Sequence, residues 1–133
     1  MTGPFCPSVL DVLGLHRFIM ERMGQTPALR DEGALSSALM RPAMAARYED
    51  ADLATQAVRL ITGIALAHPF VDGNKRTAYL AGDTFLRLNG QRFTGDPLEL
   101  ARQIEAVLTR RGSLEQAETA FAEWLRARIE PRA

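Results

Sequence analysis

The chain has a single cysteine, Cys6, so it can form no internal disulfide and offers no multi-cysteine zinc site. Set between prolines near the start, that thiol reads as incidental rather than catalytic. Net charge is missing as well. Sixteen Lys and Arg balance sixteen Asp and Glu, so no global field draws the protein toward nucleic acid or an anionic membrane, and any anion must be held by a local patch. Although 47% of the residues are apolar, charges interrupt every stretch before it nears the roughly twenty apolar residues of a membrane span. We therefore expect no nucleic-acid and no membrane partner. Residues Met1 to Pro7 have neither a basic nor an apolar leader region, which makes the cytoplasm the expected location. There is no internal repeat and no low-complexity tract, and 133 residues suit one domain spanning 1–133.

Sustained strand-like alternation is also lacking, whereas helical spacing is frequent. Ser8 with Asp11 has the form of a capping box, and Val9, Val12, Leu13, His16, Met20 and Met23 then repeat at helical intervals up to Gly24. After Gln25-Thr26-Pro27, Asp31 caps a shorter helix through Leu35, Leu39 and Met40, which Pro42 is expected to interrupt. Arg41 to Asp50 then reads as a loop or small extended flap. Leu53, Ala57, Leu60, Ile61, Ile64 and Ala67 form the broadest apolar face, so this helix should lie centrally and end near His68, ahead of Pro69. Asp72 is the expected N-cap of the next helix, with Ala78, Ala81, Phe85 and Leu88 as its apolar positions and Asn89-Gly90 as its end. Asp96-Pro97 opens a fifth helix ending before Gly112. Ser113 with Gln116 opens a sixth, with Ala117, Phe121, Trp124, Leu125 and Ile129 on its face. The fold class is all-α, a compact bundle of about six helices with at most a short β-hairpin flap.

Chemistry concentrates in His68-Pro69-Phe70-Val71-Asp72-Gly73-Asn74-Lys75-Arg76-Thr77. An imidazole can accept a proton near neutral pH, a carboxylate can hold a divalent metal, and the amides that open a helix can cradle phosphate beside two cations. His68 is the candidate general base. Asp72 is the candidate Mg²⁺ ligand, since a site of one carboxylate completed by phosphate and water is a normal arrangement. Gly73 and Asn74 open the helix, and Asn74 can orient a neighbour. Lys75 adds a point charge and Arg76 a planar fork suited to a transferring phosphoryl group. Two cations at a helix N-terminus oppose its dipole and call for an anionic partner. Phe70 reads as an anchor that fixes the loop, and His16, on the apolar face of the first helix, as a core histidine. Neither GxxxxGK[ST] nor GxGxxG is present.

The segment resembles the HxFx[DE]GNxR signature of the Fic/Doc family, and its Asn-Lys-Arg ending is similar to the Doc (death-on-curing) branch. The likeness extends upstream through Arg30-Asp31-Glu32-Gly33-Ala34-Leu35 and Arg41-Pro42 to Tyr48-Glu49. The resemblance implies a compact helical fold with the signature between two central helices, and a catalytic histidine at His68. Fic proteins carrying GNGR transfer AMP from ATP to protein hydroxyls. Lys75 stands where the second glycine of that motif would be and fills the space a phosphate would enter. The Doc branch implies ATP turned round to present its γ-phosphate, and hence protein phosphorylation with Asn74, Lys75, Arg76 and the helix terminus on the phosphates. It further implies a toxin of a toxin–antitoxin pair, a threonine of elongation factor Tu as target, arrested translation, and a Phd-like antitoxin whose disordered tail folds over the cleft. Arg41 to Tyr48 would position the substrate strand. Gly73, where Doc-like signatures can carry alanine, is similar instead to Fic and keeps AMP transfer as the alternative. A catalytically silent helical module that binds nucleotide or antitoxin is the alternative of another class.

Overall fold

The computed structural model describes residues 4–132. Six helices make up most of it: α1 (Val9–Arg22), α2 (Glu32–Glu49), α3 (Leu53–Ala67), α4 (Asn74–Leu88), α5 (Pro97–Leu108) and α6 (Leu114–Arg126). Two three-residue strands, β1 (Gln91–Phe93) and β2 (Ile129–Pro131), complete the order. The all-α expectation holds. Among the described residues no helix is long and apolar enough to cross a membrane.

Helix starts follow the local chemistry. Ser8 and Asp11 form the reciprocal capping box of α1, with the Asp11 amide 3.1 Å from Ser8 Oγ and the Ser8 amide 2.8 Å from Asp11 Oδ2. Asp31, Asp52, Asp96 and Ser113 cap α2, α3, α5 and α6 through their side chains, and Pro97 occupies the first turn of α5. α3 lies at the centre and packs against α2, α4, α5 and α6, burying Ala57, Val58, Leu60, Ile61 and Ile64. Gly82 lets α4 approach it closely, because a Cβ there would stand 2.4 Å from Ile61 Cδ1. On α4 the buried face is Ala78, Ala81, Phe85 and Leu86. Leu88, the last residue of the helix, is 47% exposed although it shares the side of Thr77 and Ala81.

Two expectations are corrected. Pro42 does not stop α2, which runs on to Glu49, so Arg41 to Asp50 is helix rather than loop or flap up to that point. A mid-helix proline costs about 3 kcal/mol. Here it is offset by tertiary packing, with Leu35, Ala38, Pro42 and Ala45 buried along one face of α2 and Arg41 anchored on α3 and α6. Ile129 is not part of α6. That helix ends at Arg126, and the chain then pairs antiparallel with the segment after α4, placing Ile129 opposite Phe93 and Glu130 opposite Arg92. The two strands are distant in the chain, so this is a closing clasp and not a hairpin. Arg128 lies 4.5 Å above the Trp124 ring, and Trp124 meets Phe93 and Phe121 beneath the clasp.

Candidate active site

The turn between α3 and α4 gathers the signature residues along one cleft of about 330 Å³, lined by His68, Val71, Asp72, Gly73, Asn74, Lys75 and Arg76 together with Met23, the C-cap of α1. His68 is the C-cap of α3 and adopts the left-handed conformation (φ 49°, ψ 55°), a cost of about 1 kcal/mol for a residue with a Cβ. Pro69 forces the exit from the helix. The Arg30 guanidinium donates to the His68 carbonyl, while the Arg30 and Asp31 amides donate to Pro69 O at 2.7 and 3.0 Å. Val71 N in turn reaches Ala28 O at 3.0 Å. The extended segment 28–31 thus runs beside the loop and holds its backbone, leaving the exposed His68 imidazole with no hydrogen bond among the described residues. Arg41 to Tyr48, expected to position the substrate strand, lie on α2, and 28–31 is the extended stretch beside the signature.

Asp72 is not the N-cap of α4. That position belongs to Gly73 in the left-handed region (φ 77°), and Asp72 Oδ1 accepts from the Gly73 amide at 2.7 Å. Helix α4 therefore starts one residue later than expected, without a side-chain cap or an acidic residue in its first turn. Its opening amides are left for an external acceptor. Gly73 is demanded by packing as well as by backbone, because a Cβ there would lie 2.9 Å from Met20 Sδ and 3.4 Å from His16 Cε1.

The remaining signature residues divide between the site and its support. Asn74 is buried, and its amide clamps Phe70 by accepting from the Phe70 N–H at 3.0 Å and donating to the Phe70 carbonyl at 2.9 Å, so it orients the loop. Lys75 reaches away to Glu105 of α5 at 2.7 Å. Arg76 is exposed and has no ion pair among the described residues. Phe70 is buried and stacks on His16, ring centroids 3.7 Å apart and planes 11° apart. His16 Nδ1 stands 3.1 Å from Thr77 Oγ1, and burial pushes its imidazole below the ordinary histidine value, with the Asp72 charge pulling the other way. Cys6 stays a thiol, pushed up to about 11 by burial, with Sγ against Leu39 O.

The residues fit a nucleotide with its metal in one respect each. Asp72 keeps its second carboxylate oxygen outside the Gly73 bond, enough for a Mg²⁺ ion otherwise held by phosphate and water, and no cluster of three or more metal-ligating side chains occurs among the described residues. The uncapped α4 terminus beside Lys75 and Arg76 suits phosphate oxygens. Sequence reasoning missed Arg30 as a support of the loop, Met20 beneath Gly73, and Glu105 as the partner of Lys75. Arg30 lay within a stretch already singled out, whereas Met20 and Glu105 carry no local signal.

A helical core thus brings His68, Asp72 and an uncapped, cation-flanked helix terminus together at one turn. A sequence model of the Fic/DOC family matches residues 7–86, well over half of the chain. The chain belongs to the Fic/DOC family. Among curated relatives, Toxin Doc of Mycolicibacterium smegmatis is 41% identical over 70 residues, covering 51% of this chain and 54% of that protein. Protein kinase doc of Escherichia phage P1 is 33% identical over 92 residues, covering 68% of this chain and 72% of the phage protein. The chain thus spans about half the length of the first relative it matches.

Proposed function

We propose that this chain is a Doc-type toxin that transfers the γ-phosphate of ATP to a threonine hydroxyl of a translation factor, elongation factor Tu being the expected target, and so halts protein synthesis. The observation that carries the reading is the uncapped N-terminus of α4, flanked by Lys75 and Arg76 and sharing a cleft with the unpartnered His68 imidazole and Asp72. A relative named as a toxin and another named as a protein kinase support it. His68 accepts the proton of the target hydroxyl as that oxygen attacks phosphorus, and afterwards releases it to solvent. Bound ATP supplies the phosphoryl group and leaves as ADP, and Asp72 would hold a Mg²⁺ ion whose charge would favour the transfer. The α4 amides, Arg76 and Lys75 bind the phosphates, Lys75 leaving Glu105 to do so. Asn74 holds the loop that aims them.

A second reading, transfer of AMP, draws support from the direction of Lys75. Its ammonium pairs with Glu105 of α5 at 2.7 Å and with no group of the turn.

An antitoxin is the expected protein partner. A groove of about 450 Å³ between α1, α4 and α5 is walled by Phe18, Ile19, Tyr79 and Leu98 with Arg22 and Arg76 at its rim, and it shares Met23 and Arg76 with the cleft. An amphipathic acidic helix seated there, such as the folded tail of a Phd-like antitoxin, would cover the catalytic turn.

The test is mass spectrometry of elongation factor Tu after incubation with this protein and Mg-ATP, with His68→Ala as control. Phosphate added in a His68-dependent manner is the expected result. Added AMP would replace the kinase reading with the second one. Growth arrest that survives His68→Ala in a folded protein would sink both in favour of a silent binding module.

A further inference from the structure

We propose that His16 is the positioning residue of the catalytic turn, setting where the 68–76 loop stands on the core through Phe70, Gly73 and Thr77. The inference rests on the transferase reading of the cleft and adds a residue on α1 that touches none of the reacting groups.

Three contacts carry it. Before the phosphate turn, the imidazole stacks face to face on Phe70 at 3.7 Å, a ring that the chain places between His68 and Asp72. At the turn, His16 Cε1 lies 3.4 Å from where a Gly73 Cβ would be, so the ring forms part of the floor beneath the helix opening. After the turn, Nδ1 bonds Thr77 Oγ1 at 3.1 Å in the first turns of α4, and Thr77 is fully buried. One rigid ring therefore meets the loop at its entry, its bend and its exit. The Asn74 amide, bonded to both the N–H and the carbonyl of Phe70, passes any displacement of Phe70 to the residues that face the cleft.

The remaining nitrogen shows that filling space is not what the histidine is for. Nε2 is buried and has no partner among the described residues, and His16 is only 2% exposed. A buried polar atom without a partner is a cost that phenylalanine would avoid at similar volume and with the same stack. What phenylalanine would lose is the bond to Thr77, which ties α1 to α4 under the turn. Placement of a catalytic loop to within a fraction of an ångström governs rate more than binding.

The test compares His16→Phe, which keeps the stack, with Thr77→Val, which keeps the shape, using purified full-length chain and the modified target of the kinase assay. Both are expected to lower kcat about tenfold to a hundredfold while KM for ATP stays within about twofold. Thr77→Ser, which keeps the hydroxyl, should restore kcat relative to Thr77→Val. The double variant should fall no further than either single one, since both remove the same bond. Wild-type kcat in His16→Phe, or effects that multiply in the double variant, would overturn the proposal. If His16→Phe does not fold, the Thr77→Val and Thr77→Ser pair decides by the same criterion. A wild-type chain that modifies no target would overturn the transferase reading alone. Exchange of the Phe70 amide hydrogen then judges His16: about tenfold faster exchange in His16→Phe or Thr77→Val sustains the positioning role, and unchanged exchange ends it.

Discussion

Two clusters in this molecule bring a carboxylate together with two cationic side chains, and they are built in opposite ways. Where α2, α3 and α6 meet, Glu118 is buried, accepts from Arg41 at 3.1 Å and from the Thr62 hydroxyl, and has the Arg59 guanidinium 3.4 Å away, while Arg41 also donates to the Arg59 carbonyl at 2.6 Å. At the α3–α4 turn, Asp72 and Arg76 are exposed, Lys75 is held only by a surface pair, and the helix amides are uncapped. Composition alone does not separate the two. Charges that satisfy one another inside the core hold elements together, whereas charges left facing a cleft beside open amides can be satisfied by a ligand. Asp52 is intermediate: half-exposed, it caps α3 and pairs with Arg126 at 2.6 Å.

Substitutions break this comparison at its ends first. His68→Ala should reduce transfer by about 10²–10⁴-fold while changing stability by less than about 0.5 kcal/mol, because the side chain is exposed and unpaired; kinetics with parallel thermal melts check both halves. Glu118→Ala should do the reverse. Leaving Arg41 and Arg59 without their shared carboxylate costs about 3 kcal/mol in urea unfolding, while KM and kcat of the surviving folded protein stay near wild type. Equal losses of stability in the two variants would erase the distinction drawn here.

The intermediate case sharpens it. Asp52→Ala removes a cap and should cost about 1 kcal/mol. The Arg126 guanidinium and the Thr55 groups hold the Asp52 carboxyl at about 2, below its ordinary value of 3.8. A depressed carboxyl stabilises the folded state fully above its unfolded value, so this contribution is present above about pH 4 and is lost as pH falls toward 2. Acid unfolding of Asp52→Asn should accordingly lack that segment of the pH dependence. The smallest effect belongs to Glu105→Gln, which frees Lys75 from a surface pair. It should change stability by less than about 1 kcal/mol and lower KM for ATP by about twofold to fivefold. A rise in KM would mean that Lys75 does not serve the phosphates.

Much of the helical plan was legible because its signals are local. The Ser8–Asp11 box, the caps Asp31, Asp96 and Ser113, and the apolar face of Leu60, Ile61 and Ile64 all depend on residues within a few positions of one another. Local reasoning failed where a distant partner changed the balance. Pro42 was expected to end α2, and packing against α3 carries the helix through it. Asp72 was expected to cap α4, yet the left-handed Gly73 intervenes over Met20 and His16, which come from α1. Ile129 left its helix because β1 was there to pair with it.

The sequence by itself determined the helical class, most helix starts and the crowding of base, carboxylate and cations into one turn, since spacing and side-chain chemistry are properties of neighbouring residues. Only the tertiary structure decided which of those groups are free. It turned Asn74 inward onto Phe70, drew Lys75 to Glu105, set Arg30 on the His68 carbonyl and placed His16 beneath the turn. The contacts of Lys75, Arg30 and His16 join segments whose proximity comes from packing the helices around α3, and no residue near them in the chain specifies the partner it will meet.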